Sequence, residues 1–137
     1  MARMCVLGGG LVGRFVASTL HNRGHEVRLV DADSIQDVSS EIEVIQSQIS
    51  ADNLVDYVSD TDVVINCLPG RIGHSIRENL VSINGMRVAD LAFTAEDPRS
   101  LDQLAKNSQA TLIYDVGIAP GLSNAILKAA ETELGTL

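Results

Sequence analysis

The sequence predicts a doubly wound α/β fold, with a mostly parallel sheet of about six strands and helices on both faces. Short apolar runs alternate along the chain with segments whose apolar residues recur at helical spacing. Strands that are joined through helices need crossover connections, which make the sheet parallel and cover both of its faces. A glycine-rich turn after the first strand and an acid at the end of the second strand indicate the same class.

The first three elements form a strand, helix and strand unit. Arg3–Leu7 is a short apolar run that stops at glycine, which is typical of a buried strand. Residues 11–23 carry apolar side chains at helical spacing, and Gly24 ends that helix. Glu26–Asp31 is the second predicted strand.

The same alternation continues to the last helix. Further strands are predicted at residues 43–49, 62–68, 86–91 and 111–116. Further helices are predicted at residues 52–59, at 73–83, from the cap-and-proline pair Asp97-Pro98 through Ala105, and at Leu122–Leu134. Only about a dozen residues separate the second and third strands, so that crossover has room for one or two helical turns at most.

Composition limits the possible partners. A chain of 137 residues that is 45% hydrophobic suits one domain with a real core. Its net charge of -8 repels a phosphate backbone, and its four aromatic residues are too scattered for base stacking, so we expect no nucleic-acid partner. No stretch approaches the roughly 18 apolar residues of a membrane span. The two cysteines lie in apolar runs, so we expect them to be buried thiols that stay reduced in a cytoplasmic protein.

The stretch GGGLVG, between the first strand and the first helix, is a G-x-G-x-x-G turn. Gly8 permits a tight turn, Gly10 lets backbone N–H groups approach a pyrophosphate, and Gly13 lets the helix pack closely on the sheet. The N-terminus of the helix adds a favourable dipole for an anion. The alternative is a glycine turn that serves packing alone.

Asp31 ends the second strand, 23 residues after Gly8, close to the spacing of a ribose-binding acid. Its carboxylate can accept hydrogen bonds from two ribose hydroxyls and would repel a 2′-phosphate. Ala32 follows it, where an arginine would favour the phosphate, and is assigned to the same cofactor edge. These residues favour NAD over NADP, although Arg14 and Arg28 leave NADP open. A turn-forming role at the end of the strand is the alternative for Asp31.

A second part of the cofactor edge follows from topology, because ligands of such sheets bind beyond the carboxyl ends of the strands. The sequence Cys67-Leu68-Pro69-Gly70 follows the fourth strand, and its proline and glycine end the strand and leave backbone groups to face a cofactor. Ser50, just past the third strand, is predicted to border the adenine. An ordinary strand-to-helix turn is the alternative.

The sequence shows no convincing catalytic set. His74, Asp90 and Asp115 lie near the predicted ligand edge, but a surface or turn-capping role explains each of them as well. No Cys or His cluster has metal-ligand spacing, and the motif of a nucleophile elbow is missing. The catalytic residues are therefore not assigned, and no metal is expected.

The segments CLPGRIGHSIRENL and VADLAFTAEDPRSLDQLAKNSQATLIYDVGIAPGLSNAIL resemble the saccharopine dehydrogenase and L-lysine dehydrogenase family. The resemblance extends from GGGLVG to the last helix, and DVGIAPGLSN is its most specific part. It implies a Rossmann-like domain, followed in the family by a substrate and oligomerisation domain. The implied cofactor contacts are Gly8, Gly10, Leu11, Val12, Asp31, Cys67, Leu68 and Pro69, with Gly117, Ala119 and Pro120 on the nicotinamide or substrate side.

The activity implied by the resemblance is oxidation of an amino-acid amine, of lysine or saccharopine type, by hydride transfer to nicotinamide. Residues 1–137 would then be one dinucleotide-binding domain, the N-terminal fragment of a longer two-domain enzyme that forms a homo-oligomer. We expect this fragment to bind NAD and to turn over little substrate. The alternatives are a regulatory nucleotide-sensing module of the same fold, which needs no G-x-x-P-G loop, and a non-catalytic scaffold.

Overall fold

A computed structural model describes residues 1–135 and contains one parallel sheet of six strands. The strands are β1 (Arg3–Leu7), β2 (Glu26–Asp31), β3 (Glu43–Gln46), β4 (Val63–Asn66), β5 (Arg87–Asp90) and β6 (Thr111–Ile113). They lie in the order β3-β2-β1-β4-β5-β6, and every pair is parallel. The order of the strands reverses between β1 and β4: β2 and β3 lie on one side of β1, and β4 to β6 lie on the other. This reversal confirms the doubly wound fold.

In the described part of the chain, five helices connect or follow the strands. They are α1 (Leu11–Asn22), α2 (Leu54–Val58), α3 (Gly70–Ser82), α4 (Asp102–Ser108) and α5 (Leu122–Leu134), and a 3₁₀ turn at Pro98–Leu101 precedes α4. The start of α3 was predicted at residue 73 and lies at Gly70, because Pro69 is its N-cap and the helix begins directly after it. Within residues 1–135, no helix is long and apolar enough to cross a membrane.

Two of the strands end three residues earlier than the sequence predicts. β3 ends at Gln46 rather than at residue 49, because the Asn53 side chain accepts a hydrogen bond from the Ser50 N–H and donates one to the Gln48 carbonyl. β6 ends at Ile113 rather than at residue 116, and Asp115, with a φ of 57°, cannot continue an extended strand. Both are edge strands with one partner each, so the sheet does not extend them.

The core has one layer on each face of the sheet. Alternate residues of β1 divide between the layers: Val6 packs in the layer with Ala17 of α1, whereas Cys5 and Leu7 pack in the other layer with Leu80 of α3. All five of these side chains have no exposed surface. A centre strand that is buried on both faces explains why the run RMCVL is almost continuously apolar.

Helix α5 differs from the other long helices because none of its residues is buried. Leu122, Ile126 and Leu127 are each more than half exposed. The helix is joined to the domain through the loop that precedes it, where the Leu122 N–H donates to the Gly117 carbonyl over 2.9 Å.

Candidate cofactor site

The glycine turn packs between β1, α1 and the end of β4. Gly8 has a φ of +97°, and a Cβ there would lie 2.8 Å from the carbonyl oxygen of Cys67. A Cβ at Gly13 would overlap the carbonyl oxygen of Gly8. A side chain is therefore excluded at both positions, as expected for a tight turn followed by a helix packed closely on the sheet.

Gly10 has the opposite surroundings. It is the N-cap of α1, and a Cβ there would meet no atom within 4 Å. No side chain caps the helix at this residue, so the N–H groups of the first turn have no capping side chain as a partner. Leu11 and Val12, which follow it, are 82% and 54% exposed. An open helix N-terminus with a favourable dipole fits the pyrophosphate of a dinucleotide.

Asp31 is bound to the glycine turn. Its Oδ2 accepts a hydrogen bond from the Gly9 N–H, with 2.5 Å between the two atoms, and its Oδ1 accepts one from the Asp33 N–H over 2.8 Å. The second bond makes the strand-end turn that was the alternative for this residue. Each carboxylate oxygen keeps a further lone pair, so Asp31 can form the turn and still accept ribose hydroxyls. Ala32 follows in an exposed position.

Gly9 belongs to the same arrangement, although the sequence reasoning did not single it out. A Cβ at Gly9 would overlap the side chain of Ile35 and approach the Cβ of Asp31 to 3.2 Å. The only sequence signal for this role is that the middle residue of the turn is a third glycine. Without a side chain, the Gly9 N–H can reach the acid.

The Cys67-Leu68-Pro69 segment lies beside the glycine turn, because β1 and β4 are neighbours. The Cys67 N–H donates to the Leu7 carbonyl over 2.8 Å, and its own carbonyl borders Gly8. Burial, reinforced by the nearby Asp90 charge, raises the pKa of the Cys67 thiol to about 11. The Leu68 side chain is only 8% exposed. A contact from Leu68 to a cofactor would therefore come from its backbone.

Ser50 has a local role in the structure. Its N–H and its hydroxyl both lie within hydrogen-bond distance of Asn53 Oδ1, at 2.8 and 3.2 Å. These contacts hold the loop between β3 and α2. A contact of Ser50 with adenine stays a prediction.

The DVGIAPGLSN segment folds into a closed loop after β6. The Val116 N–H donates to the Asp90 carbonyl over 3.3 Å, which attaches the loop to the end of β5. Gly121 has a φ of +125°, and a Cβ there would overlap carbonyl oxygens of the same loop. Gly117 and Ala119 are exposed, and Pro120 lines a cavity of about 260 Å³ at the carboxyl ends of β5 and β6.

A larger cavity, of about 690 Å³, lies between α4 and β6 and is lined by residues between Pro98 and Tyr114. No residue of the glycine turn lines it. The glycine turn, by contrast, combines an open helix N-terminus with the fixed carboxylate of Asp31, the two features that a dinucleotide site of this fold requires. Cavity size alone does not identify a dinucleotide site.

Asp90 is a structural residue in this fold. It is 1% exposed, its Oδ2 lies 2.5 Å from Nε of Arg77, and its Oδ1 accepts hydrogen bonds from Asn66 and from the Ala92 N–H. Burial raises the pKa of the Asp90 carboxyl, and these partners lower it in part. The turn-capping alternative therefore describes this residue.

The two other candidates for chemistry differ in exposure. Asp115 is exposed beside the 260 Å³ cavity, and His74 is half-buried in α3. In the described part of the chain, no three His, Cys, Asp or Glu side chains are grouped as metal ligands. The structure thus adds no catalytic set to the cofactor edge.

Sequence comparison identifies the family. Residues 4–113 match the model of the saccharopine dehydrogenase NADP binding domain, which is most of the chain. The match ends before the DVGIAPGLSN loop. No curated protein matches the chain in sequence.

Solved structures share the fold at low identity. A 3-hydroxyisobutyrate dehydrogenase from Mycobacterium tuberculosis, solved with L-serine, aligns with a TM-score of 0.62 and 21% identity over 83% of this chain and 40% of its own. A D-isomer specific 2-hydroxyacid dehydrogenase family protein from Klebsiella pneumoniae 342 aligns with a TM-score of 0.58 and 16% identity, over 82% and 37% of the two chains. A glycerate dehydrogenase related protein from Thermoplasma acidophilum aligns with a TM-score of 0.56 and 19% identity, over 83% of this chain and 40% of its own.

The chain therefore spans 37–40% of the length of these three dehydrogenases. At identities this low the likeness concerns the fold, whereas the family match concerns this sequence. Together with the glycine turn and its acid, it shows that the chain is an NAD(P)-binding domain of the oxidoreductase type and belongs to the saccharopine dehydrogenase NADP-binding domain family.

Proposed function

We propose that this domain binds NAD for an oxidoreductase that oxidises the amine of an amino acid of lysine or saccharopine type. The observation that carries the cofactor assignment is the Asp31 carboxylate, held against the Gly9 N–H beside the open N-terminus of α1. The family name and the resemblance of the DVGIAPGLSN loop support the substrate class.

Different residues of the site would contact different parts of the cofactor. Backbone N–H groups at Gly10, Leu11 and Val12 would hold the pyrophosphate, and Asp31 would accept the ribose hydroxyls. When bound, the nicotinamide accepts a hydride from the substrate carbon. The chain's contribution is to orient the cofactor and to exclude water, with Pro69 and Pro120 on the nicotinamide side of the cleft.

The preference for NAD over NADP rests on charge. A 2′-phosphate would have to approach the Asp31 carboxylate, and Ala32 supplies no cation to compensate. Isothermal titration of the chain with both cofactors tests this preference. We expect NAD to bind more tightly, and tighter binding of NADP would contradict the assignment.

The amine substrate needs a separate test. We propose that the chain by itself binds NAD but turns over little lysine or saccharopine, because the described residues contain no catalytic set. NADH production at 340 nm with each amino acid measures this turnover. Robust NADH formation by the 137-residue chain would show that the substrate machinery lies within it.

A further inference from the structure

Arg77 is a buried cation that the cofactor site does not use directly. It lies in α3, is 1% exposed, and is among the largest fully buried side chains of the described residues. Its Nε pairs with Asp90 at the end of β5. Its Nη2 donates to the Thr94 hydroxyl over 2.8 Å. A single guanidinium therefore joins a helix, the end of a strand and the loop that follows that strand.

The loop attached in this way, residues 91–97, lies across the start of α3. A Cβ at Gly70 would overlap the Phe93 carbonyl oxygen, and a Cβ at Gly73 would lie 2.5 Å from the Cβ of Ala92. Because the helix has glycine at both positions, the loop can lie against the turn that follows Pro69. The position of the loop thus depends on α3 as well as on β5.

The same loop forms one wall of the 260 Å³ cavity. Arg77, Phe93 and Thr94 line it together with Tyr114 and Pro120. Folds of this type consist of two mononucleotide-binding halves, and β4 to β6 form the second half. The nicotinamide end of the cofactor belongs to that half.

We propose that Arg77 is a positioning residue, which holds the 91–97 loop at the distance from α3 that the nicotinamide half of the cofactor requires. The proposal rests on the NAD binding proposed above. Arg77 acts through Thr94 and not as a ligand of the cofactor, because its side chain is only 1% exposed and its guanidinium is paired with Asp90. Its guanidinium places Nε against Asp90 and Nη2 against Thr94, two separate nitrogens in a fixed plane, whereas a lysine has a single nitrogen for both partners.

A purely structural role would have a different signature. Removal of a buried ion-pair partner destabilises the whole domain and weakens the binding of every ligand that needs the folded state. A displaced loop weakens the binding of only those ligands that reach the loop. ADP-ribose has the adenine, both riboses and the pyrophosphate of NAD but no nicotinamide, so a comparison of the two nucleotides separates the roles.

Two variants and one control carry the test. Thr94→Val removes the hydroxyl that accepts from Arg77 and that also donates to the Glu96 carbonyl over 3.2 Å, and it leaves the Arg77 and Asp90 pair intact. Arg77→Lys keeps a positive charge for Asp90 but loses the fork. Arg87→Lys makes the same change at an exposed residue at the opposite end of β5. Isothermal titration with NAD and with ADP-ribose gives both affinities, and thermal unfolding reports the folded state.

We expect Thr94→Val and Arg77→Lys to weaken NAD binding about fivefold, the effect of the one hydrogen bond between α3 and the loop that both variants lose, and to leave ADP-ribose affinity within about twofold. Arg87→Lys should change neither. Equal weakening of both nucleotides, or unchanged NAD affinity in both variants, would overturn the proposal. If Arg77→Lys does not fold, Thr94→Val decides alone.

The wild-type titrations separate the two proposals. A wild-type chain that binds neither nucleotide refutes the proposed NAD function, and the role of Arg77 falls with it. A wild-type chain that binds ADP-ribose as tightly as NAD retains the nucleotide site but refutes the positioning role alone.

Discussion

The Asp31 carboxylate accepts a hydrogen bond from the backbone N–H of Gly9, 22 residues away in sequence. This bond joins the end of β2 to the turn after β1. The acid is therefore fixed next to the open N-terminus of α1 before any ligand arrives.

Replacement of Asp31 should selectively weaken the binding of the cofactor. We expect Asp31→Ala to reduce NAD affinity by about tenfold to a hundredfold, because charged hydrogen bonds to the ribose are lost. Asp33→Ala is the matched control, since Asp33 contributes its backbone N–H to Asp31 and its side chain is exposed. Isothermal titration measures both, and unchanged NAD affinity in Asp31→Ala would remove the acid from the site.

Gly10→Ala should separate binding from folding. Gly10 has a φ of -63° and no atom within 4 Å of an added Cβ, so we expect the free energy of unfolding to change by less than about 1 kcal/mol. The new methyl group stands where the pyrophosphate would approach, and NAD affinity should fall by about tenfold or more. Urea unfolding and titration measure the two quantities. Full NAD affinity in this variant would place the pyrophosphate elsewhere.

Gly13→Ala should act on the fold. An added Cβ would overlap the Gly8 carbonyl oxygen, so α1 must move away from the sheet. We expect a loss of about 2 kcal/mol or more in the free energy of unfolding, which exceeds the gain of up to about 1 kcal/mol from alanine in a helix. Urea denaturation measures the difference. A stabilised variant would mean that the helix is not packed against the turn.

Asp90→Asn should be more damaging than a matched change at the surface. The substitution leaves the Arg77 guanidinium buried without its counter-charge, and we expect a loss of about 3–5 kcal/mol in stability. Asp97→Asn breaks the exposed pair with Arg99 and should change stability little. Chemical denaturation of the two variants provides the comparison, and equal effects would contradict the buried pair.

Alkaline pH should destabilise the domain through Cys67. Its pKa rises from about 9 in the unfolded chain to about 11 in the folded one, so the folded state holds its proton over that interval. The stabilisation is complete below pH 9 and is lost as the pH rises towards 11, about 2–3 kcal/mol in all. Urea unfolding at several pH values should show a shallower decline in Cys67→Ala. An identical decline in both proteins would exclude the thiol as the cause.

Much of this fold was predictable because its signals are local. The alternation of strands and helices, the GGGLVG turn and the 23-residue spacing from Gly8 to Asp31 depend on residues that are near one another in the chain. The ends of β3 and β6 were wrong by three residues each, since edge strands stop where a loop offers their backbone other partners. Hydrophobic runs do not encode that competition.

The sequence by itself determined the class of the domain and predicts a ligand at the carboxyl edge of the sheet, because glycines, a strand-end acid and apolar periodicity express local backbone requirements. Only the tertiary structure decided that Asp90 is buried against Arg77 rather than offered to a substrate, and that Arg77 reaches Thr94. A polar residue in a helical pattern looks the same whether it faces water or the core. Its burial depends on which distant groups the packing of the sheet and helices brings to it.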